Sequence, residues 1–368
     1  MMYDSVLIGG GVVGLSMAWQ LARRGERVAV LDQQEIGRGA SWAGAGIIPP
    51  ANRRTAHHPY DQLRGLSDEL HQVWSDELQA LTGIDTGYRR CGGLYLARTA
   101  GETAALIGFA GELVAEEVAV EKIPLAELKA WEPALADPAE LRVAYFLPGE
   151  AQLRNPRHLQ ALAAACVHEG VELLPQHEVT GHVREGKLLT AVQTPHGLIT
   201  GEQFCFTAGS WTGRLLAELA TPTGILPIRG QMILYRCPAP PLKHILNEGS
   251  RYIVPRDDGH VLVGSTEEEA GFDISTTDEM LADLRQFAGE LVPCLATAEI
   301  IRSWAGLRPG SFDGLPYLGR LPNWSNAFVA AGHFRSGLYL SPATAVVMTQ
   351  LLCGESPEID LQPFRVGR

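Results

Sequence analysis

Residues 4–32 read DSVLIGGGVVGLSMAWQLARRGERVAVLD, and the order of residue types in this stretch decides the fold. Ser5 to Ile8 is a short apolar run that goes straight into glycine, the pattern of a strand inside a parallel sheet covered on both faces. Val13 to Arg24 has the spacing of an amphipathic helix, and Val28 to Leu31 is a second apolar strand. Strand, helix and strand make one βαβ unit, the N-terminal half of a Rossmann-like fold. At its first turn Gly9, Gly11 and Gly14 form G-x-G-x-x-G, and Asp32 closes the second strand about 20 residues on. The first glycine permits the tight turn. The second lets a pyrophosphate approach the N–H groups at the positive helix end, and the third lets helix and strand pack closely. Asp32 would accept hydrogen bonds from an adenosine ribose. The pattern predicts a dinucleotide site without choosing between FAD and a nicotinamide.

A small-residue segment follows, Gly37-Arg38-Gly39-Ala40-Ser41-Trp42-Ala43-Gly44-Ala45-Gly46, through which backbone could approach a large flat ring. Further on, Asn155-Pro156 starts a helix through Ala161 to His168, followed by a strand at Val171 to Leu174. Glu178 to Val183 alternates like a strand, turns fall at Glu185-Gly186 and His196-Gly197, and Gln203 to Phe206 leads into Thr207-Ala208-Gly209-Ser210-Trp211. The region from Asp61 to Leu135 reads as helical and charged. Gln231 to Arg236, Tyr252 to Arg256 and His260 to Val263 read as strands, the last two joined by a hairpin at Asp257-Asp258-Gly259. The expected architecture is α/β: a discontinuous FAD-binding domain over 1–80, 145–215 and 303–368, and an α+β substrate domain with an antiparallel sheet over 81–144 and 216–302.

Composition narrows the function classes. A formal net charge of -12 opposes nucleic-acid binding, which needs clustered Lys and Arg against phosphate. Six cysteines are scattered without C-x-x-C spacing, so they read as small buried apolar residues rather than metal ligands or a redox pair. No apolar run approaches the ~20 residues of a spanning helix, and no signal peptide is visible, so the expected location is cytoplasmic, away from membranes.

Five segments carry a more specific likeness: Val6 to Gly11, Ser41 to Gly44, Thr207 to Trp211, Trp304-Ala305-Gly306-Leu307-Arg308-Pro309 and Gly332-His333-Phe334-Arg335-Ser336-Gly337. In this order and spacing the chain resembles the D-amino acid oxidase superfamily, and within it the bacterial glycine oxidase family associated with thiamine synthesis. The resemblance implies FAD, held by Gly9, Gly11, Val13, Gly14, Asp32, Gln33, Arg38, Ser41, Trp42, Ala43 and Gly44 from the N-terminal part. It adds Val179, Ala208, Gly209 and Trp211 from the middle, and Arg308, His333, Arg335, Ser336, Gly337 and Leu338 from the end. A helix starting at Gly337 would turn its positive end toward the reduced flavin. Neither His nor Cys occurs in Ser41 to Gly46 or between Trp304 and Gly319, so the FAD is expected to be non-covalent.

The same resemblance implies that Arg308 clamps a substrate carboxylate, that Tyr252 reaches the same carboxylate and that Arg335 lies beside the substrate amine. A planar guanidinium matches a carboxylate with two parallel hydrogen bonds. An ion pair of Arg308 with Asp313 is the bland alternative, and His333 reads equally as a packed core histidine. Ile47 falls at a position that limits pocket size, where methionine is common. Glu267 departs from an apolar residue. The implied reaction is oxidative deamination of glycine, sarcosine or a small D-amino acid: hydride passes to flavin N5, the imine hydrolyses to an oxo acid and ammonia or an amine, and O2 becomes H2O2. A quinone-linked D-amino acid dehydrogenase is the alternative, and a homotetramer is the implied assembly.

Overall fold

The computed structural model describes residues 2–368. Its first sheet is built on five parallel strands in the order Ala327–Ala331, Gly197–Phe206, Met2–Ile8, Val28–Leu31 and Glu172–Leu174. The long strand Gly197–Phe206 also carries the antiparallel meander Gly181–Glu185 and Leu188–Thr194, so the strand expected over Glu178 to Val183 begins later. The first helix, Val12–Ala22, is buried at every position except Gln20. It is enclosed by Asn155–His168 and by the last helix, Gly337–Leu352, which also packs on Pro59–Thr82. Trp19, Leu15, Met17, Leu21 and Met348 are fully buried there. Each such side chain contributes roughly 1.5–3 kcal/mol through removal from water.

Local signals explain the helix ends. The long helix starts at Pro59 with the His58 ring accepting from the Tyr60 N–H at 3.1 Å, and stops at Gly83, whose φ of 72° places it in the left-handed region. Thr99 and Glu102 close a reciprocal capping box at the head of Ala100–Ala115. Pro342 sits inside the last helix, and the carbonyl of Leu338 that its missing N–H would have bonded accepts instead from Ser341 Oγ at 2.8 Å.

The second sheet has eight strands in the order Glu299–Gly310, Leu226–Arg236, His260–Gly264, Arg251–Pro255, Ile245–Glu248, Gly93–Ala97, Val143–Leu147 and Glu121–Lys122. All neighbours are antiparallel except Ile245–Glu248 beside Gly93–Ala97. The helix Asp278–Leu291 covers one face through Leu284, Phe287 and Leu291. Two expectations change here. The Asp61 to Leu135 region is not helical throughout, because Gly93–Ala97 and Glu121–Lys122 enter the sheet as strands. The strand Glu299–Gly310 lies wholly in this sheet, so a boundary at 303 cuts through it, and Val143–Leu147 likewise straddles the one at 145. The expected hairpin at Asp257-Asp258-Gly259 is present, with Gly259 at φ 83°.

Candidate active site

A cavity of about 580 Å³ lies between the two sheets. Asp32, Gln33 and Val179 line it on the parallel-sheet side, and Tyr252, Arg308 and Met232 line it on the antiparallel side. The glycine turn opens onto it. Gly9 has φ 122°, and a Cβ there would lie 2.5 Å from the carbonyl of Thr207. A Cβ on Gly14 would overlap the Gly9 carbonyl oxygen, whereas one on Gly11 would meet only Ser41 Oγ, at 3.2 Å. Gly9 and Gly14 therefore hold strand and helix together, and Gly11 keeps the cavity clear.

The first helix has no side-chain cap and no acidic residue in its first turn. Ser41 Oγ accepts from the Val12 N–H at 3.0 Å, and Gly11, Val12 and Val13 line the cavity, so the positive helix end faces it. Asp32 accepts from the N–H groups of Gly10 and Gln34, both at 2.9 Å, and burial raises its pKa. Thr207 Oγ1 donates to the Gly9 carbonyl at 2.8 Å, tying the Thr207 to Trp211 segment to the glycine turn.

The small-residue segment is held by three side chains from elsewhere. Trp304 Nε1 donates to the Ala43 carbonyl at 3.1 Å, Asn155 Nδ2 to Ser41 at 2.7 Å, and the buried Arg256 guanidinium to Ala45 at 2.8 Å. Arg256 also donates to the Leu153 carbonyl at 3.0 Å, and its burial pushes its pKa down to about 9. Asn155 Oδ1 is buried without a partner at the cavity wall. A glycine cradle, a helix end facing the cavity, a cavity-lining carboxylate and an orphaned acceptor fit a flavin dinucleotide.

Of the residues expected at this site, Ser41, Ala43, Gly44, Ala208, Gly209, Trp211, Ser336, Gly337 and Leu338 line the cavity together with Val13, His333 and Arg335. Gly14, Arg38 and Trp42 do not. Gly14 is consumed by packing. Trp42 turns away to meet Trp304 edge-on, at 5.4 Å between ring centroids, with the Arg38 and Arg302 guanidiniums near its ring. His333 is buried, shares a hydrogen bond with Thr344 Oγ1 at 3.1 Å and is pushed down to about 4 by burial, so it is a neutral core histidine.

Arg308 is held from behind. Its Nη2 donates to Ser265 Oγ at 2.6 Å and its Nη1 to the Thr266 carbonyl at 3.2 Å, while the guanidinium rests on Gly230, where any Cβ would collide with it. Asp313, the alternative partner, is taken by Arg368 at 2.7 and 2.9 Å. Burial lowers the Arg308 pKa, with Tyr252 and Glu267 acting in the opposite sense. Tyr252 Oη lies 3.4 Å from Met232 Sδ, and Ile47 is half-buried on the cavity wall. Arg335 reaches Glu267 at 3.4 Å and donates to the Ser250 carbonyl at 2.8 Å, so its side chain joins the two loops rather than entering the cavity alone.

Tyr95 and Asn247 also line the cavity, and the sequence reading passed over both. The alternation in Gly93-Leu94-Tyr95-Leu96-Ala97 was the available signal for the first; Asn247 had none. No group of His, Cys, Asp and Glu suited to a metal ion occurs among the described residues. No helix among them is long and apolar enough to cross a membrane.

The family model described as DAO, FAD dependent oxidoreductase, matches residues 4–351. Glycine oxidase of Pseudomonas aeruginosa is 37% identical over 360 residues, covering 98% of this chain and 97% of that protein. The bifunctional protein ThiO/ThiG of a Nostoc species is 32% identical over 369 residues, covering 99% of this chain and 55% of that protein. The crystal structure of glycine oxidase from Geobacillus kaustophilus superposes with a TM-score of 0.95 at 32% identity, over 100% of this chain and 99% of that one.

Proposed function

Because this chain belongs to the DAO family of FAD-dependent oxidoreductases, we propose that it is a glycine oxidase, acting on glycine or a similarly small amino acid with O2 as electron acceptor. Bound FAD supplies the acceptor for the hydride leaving the amine-bearing carbon, and passes the electrons on to O2. The residues of this chain do the binding and orienting. The glycine turn, Asp32 and the segment Ser41 to Gly46 hold the cofactor, with Val179, Thr207 to Trp211 and Ser336 to Leu338 completing its walls.

The observation that carries the substrate reading is Arg308, a half-buried guanidinium at the cavity wall that bonds only to neutral oxygens. Its charge is left for an incoming carboxylate, and Tyr252 beside it adds a hydroxyl. Ile47 and Met232 keep the space near that end small. The imine that leaves the site hydrolyses to an oxo acid and ammonia, or an alkylamine from an N-alkyl substrate. The sheet partition supports a division into an FAD-binding part and a substrate-facing part, and the resemblance to thiamine-associated glycine oxidases supports a role in supplying the thiazole precursor. The test is anaerobic mixing with glycine, sarcosine, small D-amino acids and plain alkylamines while flavin absorbance is followed. Bleaching by glycine and sarcosine but not by the plain amines supports the reading. Intact colour with every amino acid defeats it.

A further inference from the structure

Strand register places three cavity-lining side chains in one row. Tyr252 is opposite Asn247, and Asn247 is opposite Tyr95 on the next strand. Neighbouring strands are about 4.8 Å apart, so the row leads from the carboxylate clamp across the cavity wall. Behind its far end lies Glu150, fully buried. The Tyr95 hydroxyl donates to Glu150 Oε2, and Asn247 Nδ2 donates to Glu150 Oε1 at 2.9 Å. Gly93 makes the approach possible, since a Cβ there would run into the carboxylate.

Glu150 forms no ion pair with Lys, Arg or His among the described residues. An uncompensated buried carboxylate costs several kcal/mol, and a glutamine of the same size would serve Tyr95 and Asn247 without that cost. The cost is explicable if the charge is used. A zwitterionic amino acid whose carboxylate sits on Arg308 has its ammonium group on the side away from that cation. The wall there offers acceptors: the lone pairs of Tyr95 Oη, already donating to Glu150, and the carbonyl oxygen of Asn247. The substrate must lose one ammonium proton before the nitrogen lone pair can assist hydride departure, and among the described residues no other carboxylate hydrogen-bonds to Tyr95, Asn247 or Tyr252.

We propose that Glu150 accepts the proton shed by the substrate ammonium, relayed by the Tyr95 hydroxyl. The inference rests on the amino-acid oxidation proposed above. The ammonium N–H proton passes to Tyr95 Oη as the Tyr95 proton passes to Glu150 Oε2. The substrate keeps the nitrogen lone pair, Glu150 becomes the neutral acid, and no electrons move in this step. Burial pushes the Glu150 carboxyl up to about 7, and pushes the Tyr95 hydroxyl well above its usual range, so Tyr95 conducts the proton without holding the charge. The other groups facing the pair are Arg64 from the long helix and Tyr339 from the last helix, both acting on Tyr95, and Cys91, just before the strand Gly93–Ala97. Arg64 is itself paired with Asp61 and Glu116. Glu150 is therefore the group of this cluster that titrates near neutrality.

The test uses the FAD-loaded enzyme, with flavin reduction by glycine followed in anaerobic stopped flow from about pH 5 to about pH 9, roughly two units on either side of the Glu150 carboxyl. Wild-type reduction should rise with pH through about 7 and level off. Glu150→Gln should lower the plateau by ~10²-fold or more and remove that ionisation, as expected on losing a general base. Tyr95→Phe cuts the relay and should likewise lower the plateau by ~10²-fold and flatten the pH profile of the rate, and Glu150→Asp should keep a carboxylate ionisation at a shifted pH. A second readout needs no turnover: infrared titration should show a carboxylic acid band that disappears near pH 7 in wild type and is missing from Glu150→Gln. If Glu150→Gln binds FAD and bleaches with wild-type rate and pH profile, the relay is overturned while amino-acid oxidation stands. If wild type itself fails to bleach with every amino acid, both are overturned.

Discussion

Replacing Arg308 by alanine tests the substrate assignment most directly. The guanidinium has three anchors of its own, Ser265 Oγ at 2.6 Å and the carbonyls of Thr266 and Arg229 at 3.2 and 3.4 Å, none of them charged. A carboxylate at ~4 Å in an effective dielectric near 20 would gain about 4 kcal/mol before desolvation is charged against it. If about 2.7 kcal/mol survives in the transition state, kcat/KM for glycine falls ~10²-fold in Arg308→Ala. Arg308→Lys should recover part of this, because a point charge replaces a two-pronged contact and cannot reach all three anchors. The freed acceptors lie at a cavity wall where water can replace the guanidinium, so FAD content and thermal midpoint should change little. Steady-state kinetics on glycine and on an alkylamine without a carboxylate, with flavin absorbance as the loading control, make the measurement. Equal losses on the two substrates, or an alanine variant that unfolds, would refute the clamp and leave Arg308 as a structural cation.

Gly11→Leu should yield folded but largely colourless protein, since its side chain would enter the cofactor space past Ser41 Oγ without disturbing the Gly9 and Gly14 contacts; normal FAD release on denaturation would contradict this. Acid stability should be limited by His71, His158 and His333, which burial pushes down to about 4, about 3 and about 4. The unfolded chain takes up protons on these rings from pH ~6.5 downward while the folded chain does not, so stability is lost as pH falls through that window, at up to about 1.4 kcal/mol per unit for each ring. Chemical denaturation at pH 7 and pH 5 checks it, and an unchanged midpoint would be the contrary result. Glu150 has the opposite sign: its raised pKa favours the folded state below its ordinary range and that contribution disappears as pH rises through about 7.

The glycine turn and the cavity it opens onto were legible because their signals are local. Gly9, Gly11, Gly14 and Asp32 state within one short segment that backbone must approach something closely, and the strands and helix around them follow from the same residues. Trp42, placed beside FAD by the resemblance, lies off the cavity, because its orientation is set by Trp304 on a distant strand, which no residue near it records. The Asp61 to Leu135 region was read as helical because two true helices, Pro59–Thr82 and Ala100–Ala115, dominate its periodicity and the strand Gly93–Ala97 between them is too short to compete. The wall formed by Tyr252, Asn247 and Tyr95 depends on which strand lies beside which. The parallel pairing of Ile245–Glu248 with Gly93–Ala97 joins segments 152 residues apart in register, and no local pattern records such a choice.

The helix Gly337–Leu352 and the strand before it have a consequence for how the fold closes. Ala327–Ala331 flanks Gly197–Phe206, and Gly337–Leu352 closes over Val12–Ala22, the helix that opens on the cofactor cavity. Until those two segments dock, an almost wholly apolar first helix has nothing to shield it on that side. Burial of the first helix thus waits on segments far away in sequence, and the partly folded chain that lacks them is the form exposing the most apolar surface.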